Sequence, residues 1–190
     1  QSDFSSPTLQ KELNEDLSII NKKSIVLPLG EVKVTKKINS VLIVFRTNTD
    51  VEIWDQNKRR LFEQPKIEYS LRALNSLIRS INFSKTKNPN VKFKTIIVDD
   101  KSKEENLNKL KKLIDGSGLD MSITPLNHEK YKNTIKPQKN EQTFSNLASL
   151  LQSFELGKEH ANDLVFFVED DYLHFEPMME EMIASYERIA

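Results

Sequence analysis

Leu164–Met179 reads LVFFVEDDYLHFEPMM. The apolar run Leu164–Val168 ends abruptly in three consecutive carboxylates, Glu169, Asp170 and Asp171, and Pro177 then supplies a helix-start signal. Such a stretch predicts a buried strand that carries acids to the carboxyl edge of a sheet and stops there. In open α/β sheets that edge is where ligands bind. Three adjoining acids repel one another and stay ionised most easily with positive charge among them. A divalent cation with hard oxygen ligands, also holding the phosphates of a substrate, meets that need. The alternative is a merely solvated strand end.

Upstream, the same strand-then-polar pattern recurs. Val41–Phe45, VLIVF, is continuously apolar and β-branched, as expected of a strand covered on both faces, and runs into Arg46, Thr47, Asn48, Thr49 and Asp50. Phe93–Val98 ends in Asp99 and Asp100, and Met121–Leu126 forms a weaker strand. Between and after them lie amphipathic helices: Ile67–Ile81; a run with Leu107, Leu110, Leu113 and Ile114 that stops at Gly116; Phe144–Phe154, ending at Gly157; and a last helix with Met178, Met179, Met182, Ile183 and Tyr186 inward. Ser102 with Glu105 has capping-box spacing. Alternating strands and helices, with strands apolar throughout, predict an α/β fold: a mostly parallel sheet with helices on both faces. Acids from two strands are then expected to meet along one edge. Val51–Lys66 is charged and irregular and holds Trp54, the single tryptophan; a lone Trp is more often packing than a stacking platform. Asn127–Gln142, rich in Lys and Asn, is expected to be a solvated loop.

Composition narrows the classes. The 190 residues suit one sizeable core. Lys+Arg and Asp+Glu are 28 each, so no global field points to nucleic acid or an anionic membrane. Without cysteine, disulfides and thiolate metal sites are excluded. No apolar run approaches the ~20 residues needed to span a bilayer, and the amino terminus lacks the apolar core of a signal peptide, so the expected location is cytoplasmic. Residues 1–39 read as a lead-in, with a helix over Thr8–Ile20 and a short apolar segment, Ile25–Leu29. Residues 40–190 carry the α/β pattern. A first residue other than Met, and an end at Ala190 inside a helical pattern, suggest a piece of a longer protein.

Three stretches together resemble the nucleotide-binding half of a GT-A glycosyltransferase, most like family 2. TIIVDDKSKEENLNKLKKL (Thr95–Leu113) resembles that family's second strand, whose Asp-Asp-x-Ser ending contacts the base of the nucleotide. FSNLASLLQSFELGKE (Phe144–Glu159) resembles the helix, with its Asn, that precedes the metal strand. LVFFVEDDYLHFEPMMEEMIASYE (Leu164–Glu187) resembles the strand bearing the Asp-x-Asp motif, with a downstream Pro opening a helix. The chain departs from the family at Arg46-Thr47-Asn48-Thr49, where Pro-Thr-Tyr-Asn is usual, in its longer Val51–Lys66 link, in the variant Glu169-Asp170-Asp171, and at Pro177, one residue further out.

The resemblance implies a Rossmann-like GT-A fold, incomplete at its carboxyl end. It implies a metal-dependent transferase of the hexosyltransferase type that moves a sugar, with inversion, from a UDP- or GDP-type donor to a saccharide, lipid or protein acceptor. Mn2+ or Mg2+ would contact Asp171, with Glu169 as a second ligand. Glu169 and Asp170 would position ribose, sugar or metal-bound water, and Asp99 and Asp100 would read base and ribose. One of those two aspartates is equally placed to cap the helix near Ser102. Thr47 would edge the base pocket, and Asn146 is carried over from the family helix. Arg46 would meet a phosphate or, alternatively, a local carboxylate. His174 reads as structural or solvated. The catalytic base is expected beyond Ala190. The competing readings are an inactive nucleotide- or metal-binding module and a receiver-like signalling domain, which also opens on a strand ending in paired acids.

Overall fold

The computed structural model describes residues 37–50, 64–138 and 140–189. The expected helix over Thr8–Ile20, the segment Ile25–Leu29 and residues 51–63 with Trp54 lie outside the described residues. Four strands form where the apolar runs predict them: β1 (Ser40–Thr47), β2 (Lys92–Asp99), β3 (Asp120–Pro125) and β4 (Leu164–Glu169). They make one sheet in the order β3-β2-β1-β4, every pair parallel. The helices are α1 (Lys66–Lys87), α2 (Glu104–Asp115), α3 (His128–Tyr131), α4 (Glu141–His160) and α5 (Met178–Ile189).

A strand in mid-sheet has no solvent face, and β1 is mid-sheet. Val41, Leu42, Ile43, Val44 and Phe45 are all buried. Because successive side chains alternate, Val41, Ile43 and Phe45 pack with Leu74, Leu77 and Ile81 of α1, Leu110 and Ile114 of α2, and Met179 and Ile183 of α5. Leu42 and Val44 face the other way, into a second core with Ala148 of α4 and with Leu126, Tyr131 and Ile135. The fold is therefore α/β with helices on both faces, as the alternation predicts.

The order 3-2-1-4 is that of the first four strands of a doubly wound Rossmann-type sheet, which reverses direction between β1 and β4. A receiver has β1 flanked by β2 and β3 instead. The strand order thus removes the receiver-like alternative.

Several local expectations change. The stretch from Asn127 to Gln142 is not all loop: Asn127 caps the short helix α3 by accepting from Lys130 N, and Asn140 caps α4 by accepting from Thr143 N. Gly157 does not end its helix. It lies inside α4, where an added Cβ would stand 2.8 Å from Phe167 Cζ, so it is the place where α4 and β4 approach closely. Ser102 caps nothing; its hydroxyl accepts from Thr49 N, and the N-cap of α2 is Lys103. Lys66 begins α1 rather than ending the irregular link, and Tyr186 is exposed.

Leu77 is fully buried in the α1 core. Leu77→Ala is expected to lower stability by about 2–5 kcal/mol, read as a shifted urea midpoint at unchanged slope.

Candidate functional site

Each strand delivers its last residues to one edge, and the register shows how they line up. Thr47 of β1 stands beside Asp99 of β2, and Arg46 beside Glu169 of β4. The two acid tips share the edge, as expected, but they are not neighbours. Strand β1 lies between them, so they are two interstrand spacings apart, about 10 Å. Arg46 and Thr47 fill the interval. This is also where the strand order reverses, the usual position of a ligand crevice in such sheets.

Strand alternation then divides each acid group between the two faces of the sheet. On β4, Phe166 and Val168 belong to the α1 core, and Asp170, in step with them, turns to the same side. It is buried there, its Oδ2 accepting from Thr47 Oγ1 at 2.7 Å and Ser70 Oγ at 2.5 Å, and its Oδ1 from Lys66 Nζ at 2.6 Å. Glu169 turns toward α4, where Arg46 Nη2 pairs with it. The remaining donor arm of Arg46, Nη1, reaches Asn146 Oδ1 at 3.1 Å and Ser149 Oγ at 2.9 Å. Arg46, Asn146 and Glu169 are thus one cluster, and the guanidinium has the local carboxylate that its sequence position allowed. Burial draws its pKa below the ordinary arginine value, opposed by the charges of Asp170 and Asp171; it remains cationic at neutral pH. Asp171 is exposed and makes no hydrogen bond or ion pair among the described residues.

The β2 tip divides the same way. Asp99 is buried; its Oδ2 accepts from Ser102 N at 3.1 Å, so it holds the turn leading into α2. Its Oδ1 is buried with no hydrogen-bond partner among the described residues. Burial is the main reason its pKa is raised, helped by the neighbouring charges of Asp100 and Asp50. Asp100 accepts from Asn48 Nδ2 at 3.3 Å and meets His128 Nε2 at 2.6 Å. Between them and Ser102, Lys101 adopts φ 58°, a left-handed conformation that side chains rarely take. Its Nζ lies 2.6 Å from Glu141 Oε1 at the start of α4, which ties the strained turn to that helix.

Of the sequence-derived residues, the edge therefore gathers Arg46, Thr47, Asp99, Asp100, Asn146, Glu169, Asp170 and Asp171. Sequence reasoning missed Lys66, Ser70, Asn48 and His128. Asn48 was legible as part of a polar strand end. His128 and Lys66 stood in stretches read as loop and link, and a buried helix serine carries no periodic signal.

His174 proves structural. Its ring packs at a steep angle against Phe166, its backbone N donates to Ser76 Oγ at 2.9 Å, and its buried Nε2 has no partner among the described residues.

Neither a protein-family model nor a curated protein matches the chain. Among solved structures it is similar to S. aureus TarS 1-349, at 18% identity and TM-score 0.43, covering 76% of this chain and 31% of that one. It is also similar to the galactosyltransferase LgtC in complex with donor and acceptor sugar analogs, at 16% identity and TM-score 0.39, covering 74% of this chain and 41% of that one. An active-site mutant of LgtC gives the same values. The chain thus spans less than half the length of the structures it matches. No helix among the described residues is long and apolar enough to cross a membrane.

Burial lowers the His174 pKa below the ordinary 6.5. Between the two values the unfolded chain binds more protons than the folded one, so stability rises with pH. The contribution is complete above 6.5 and is lost as pH falls through the lowered folded-state value. Urea midpoints measured from pH 5 to 8 are expected to drop toward the acid end, and His174→Phe is expected to flatten that part of the profile.

Proposed function

We propose that this chain binds a nucleoside diphosphate sugar at the carboxyl edge where β1 meets β4, as the donor-binding part of a metal-dependent, inverting glycosyltransferase of family 2 type. The observation that carries the reading is the placement of the β2 and β4 acid tips on one edge, on either side of β1, at the point of strand reversal. The motif order Asp99-Asp100, Asn146 and Glu169-Asp170-Asp171 supports the same reading.

The residues present fit a divalent ion of one kind. Among the described residues no three His, Cys, Asp or Glu side chains converge into a cage. Mg2+-like ions are usually held by one or two carboxylates together with substrate phosphates, keeping several waters. Asp171, exposed and without a hydrogen bond or ion pair among the described residues, suits that arrangement, and Glu169, two residues before it, is the second acid. Bound there, Mn2+ or Mg2+ supplies Lewis-acid stabilisation of the charge that builds on a departing diphosphate.

The protein's own groups do the rest. Arg46 holds Glu169 and keeps positive charge next to the crevice. Asp99, whose Oδ1 is buried with no hydrogen-bond partner among the described residues, and Asp100 accept hydrogen bonds from base and ribose. Thr47 and the adjoining backbone border the base pocket, and Asn146 fixes the Arg46 side chain. No described residue is assigned as the base that activates the acceptor, a saccharide, lipid or protein.

Calorimetric titration of the full chain with UDP and with GDP, each with Mn2+ and then with EDTA, tests this. Metal and nucleotide are expected to bind together, with Mn2+ alone binding weakly. Asp171→Asn is expected to weaken the metal-dependent component by roughly tenfold or more, about 1.4 kcal/mol. Absence of metal-dependent binding by either diphosphate overturns the reading.

A further inference from the structure

We infer that Lys66, Ser70 and Thr47 are positioning residues that clamp Asp170 on the α1 face and thereby set where Asp171 and Glu169 meet a metal–diphosphate; the inference rests on the donor-binding reading above. Asp170 is the middle acid of the triplet, and it turns to the α1 side while Glu169 turns to the α4 side. Its carboxylate takes one ammonium and two hydroxyl donors at 2.5–2.7 Å and is 7% exposed. A carboxylate so buried is tolerated only with compensating charge and hydrogen bonds, and removing one partner leaves charge uncompensated. The three donors come from two different elements, β1 and the first two turns of α1. They therefore hold the tip of β4 against both at once. With Asp170 fixed there, the alternation of β4 puts Glu169 on the opposite side, where Arg46 secures it, and Asp171, the next residue in the turn, is exposed.

The clamp is the first of several polar contacts along α1. Ser76 Oγ accepts from His174 N at 2.9 Å, and Ser80 Oγ accepts from Met179 N at 3.0 Å. Ser70 and Ser80 are fully buried. Serine is a poorer helix former than alanine, so helix propensity does not account for serine at these positions. Each hydroxyl meets a group between Asp170 and Met179. The chain that leaves the acid tip is thus fastened to α1 over about 15 Å of helix. Ser84, on the same helix and equally buried, makes no such contact and serves as a control; Asn88 Nδ2 donates to its hydroxyl.

The experiment measures UDP affinity of the full chain in Mn2+ and in EDTA, with melting temperature and the Mn2+ electron paramagnetic resonance signal recorded for each protein. Ser70→Ala and Lys66→Met are expected to weaken metal-dependent UDP binding by roughly tenfold, with metal-free binding unchanged. Ser70→Thr keeps the hydroxyl and is expected to recover most of the affinity. Ser84→Ala is expected to stay within about twofold of wild type. If Lys66→Met does not fold, Ser70→Ala decides the matter. Wild-type-like affinity in the folded variants overturns the clamp, as does an equal loss with and without metal. A wild-type protein that binds no UDP with Mn2+ overturns the donor-binding reading and the clamp together, so the wild-type isotherm separates the two failures.

Discussion

Adjacent residues of a strand point to opposite faces of its sheet, and the carboxyl edge of this protein is arranged around that constraint. Glu169, the last residue of β4, and Asp170, which follows it, cannot share one pocket. Asp170 is delivered to the α1 side and Glu169 to the α4 side, and Asp171 is exposed in the turn that follows. Each side therefore needs its own cationic partner, and each has one: Lys66 for Asp170 and Arg46 for Glu169. Neither cation belongs to β4. One comes from the end of β1 and the other from the helix that follows it, so the acid tip takes its shape only when β4 docks beside β1.

The position of β1 explains why the edge is polar at all. Its interior is buried from Val41 to Phe45, which leaves no solvent-facing side chain until the chain reaches Arg46. Thr47 is buried too, but its hydroxyl is spent on Asp170 and its carbonyl accepts from Asp100 N at 3.0 Å. Thr47 therefore touches both acid tips, Asp170 through its hydroxyl and Asp100 through its backbone, while the Arg46 side chain engages Glu169 and α4.

Much of this was legible in the sequence. The apolar runs of β1, β2 and β4 located the strands to within two residues, because strands covered on both faces need unbroken apolar side chains. The acids at their ends located the edge. What was not legible depends on contacts between distant residues. Gly157 reads as a helix stop on local propensity, but α4 continues because its neighbour Phe167 needs the space of the missing side chain. Ser102 has capping-box spacing, yet its hydroxyl is drawn to Thr49 N, a residue that local spacing cannot weigh. Lys66 and Ser70 belong to the site only through Asp170, about a hundred positions away in sequence. The strand order, which separates a Rossmann-type sheet from a receiver, follows from pairing rather than from any run of residues.

Electrostatics carry the synthesis one step further. Along the edge stand Asp99, Asp100, Glu169, Asp170 and Asp171. Facing them are Arg46 and Lys66, each committed to one acid, and His128, which meets Asp100. Lys101 and Lys103 are nearby but engage Glu141 and Asp50. Carboxylates thus outnumber the cations directed at them, and the acid without a described partner is Asp171, on the exposed side. Burial already raises the pKa of Asp99, and the neighbouring charges of Asp100 and Asp50 add to it. A divalent cation reverses that trend. On the proposed donor-binding reading, such a cation carrying diphosphate would meet the exposed Asp171 rather than the buried Asp170, whose three donors are already in place.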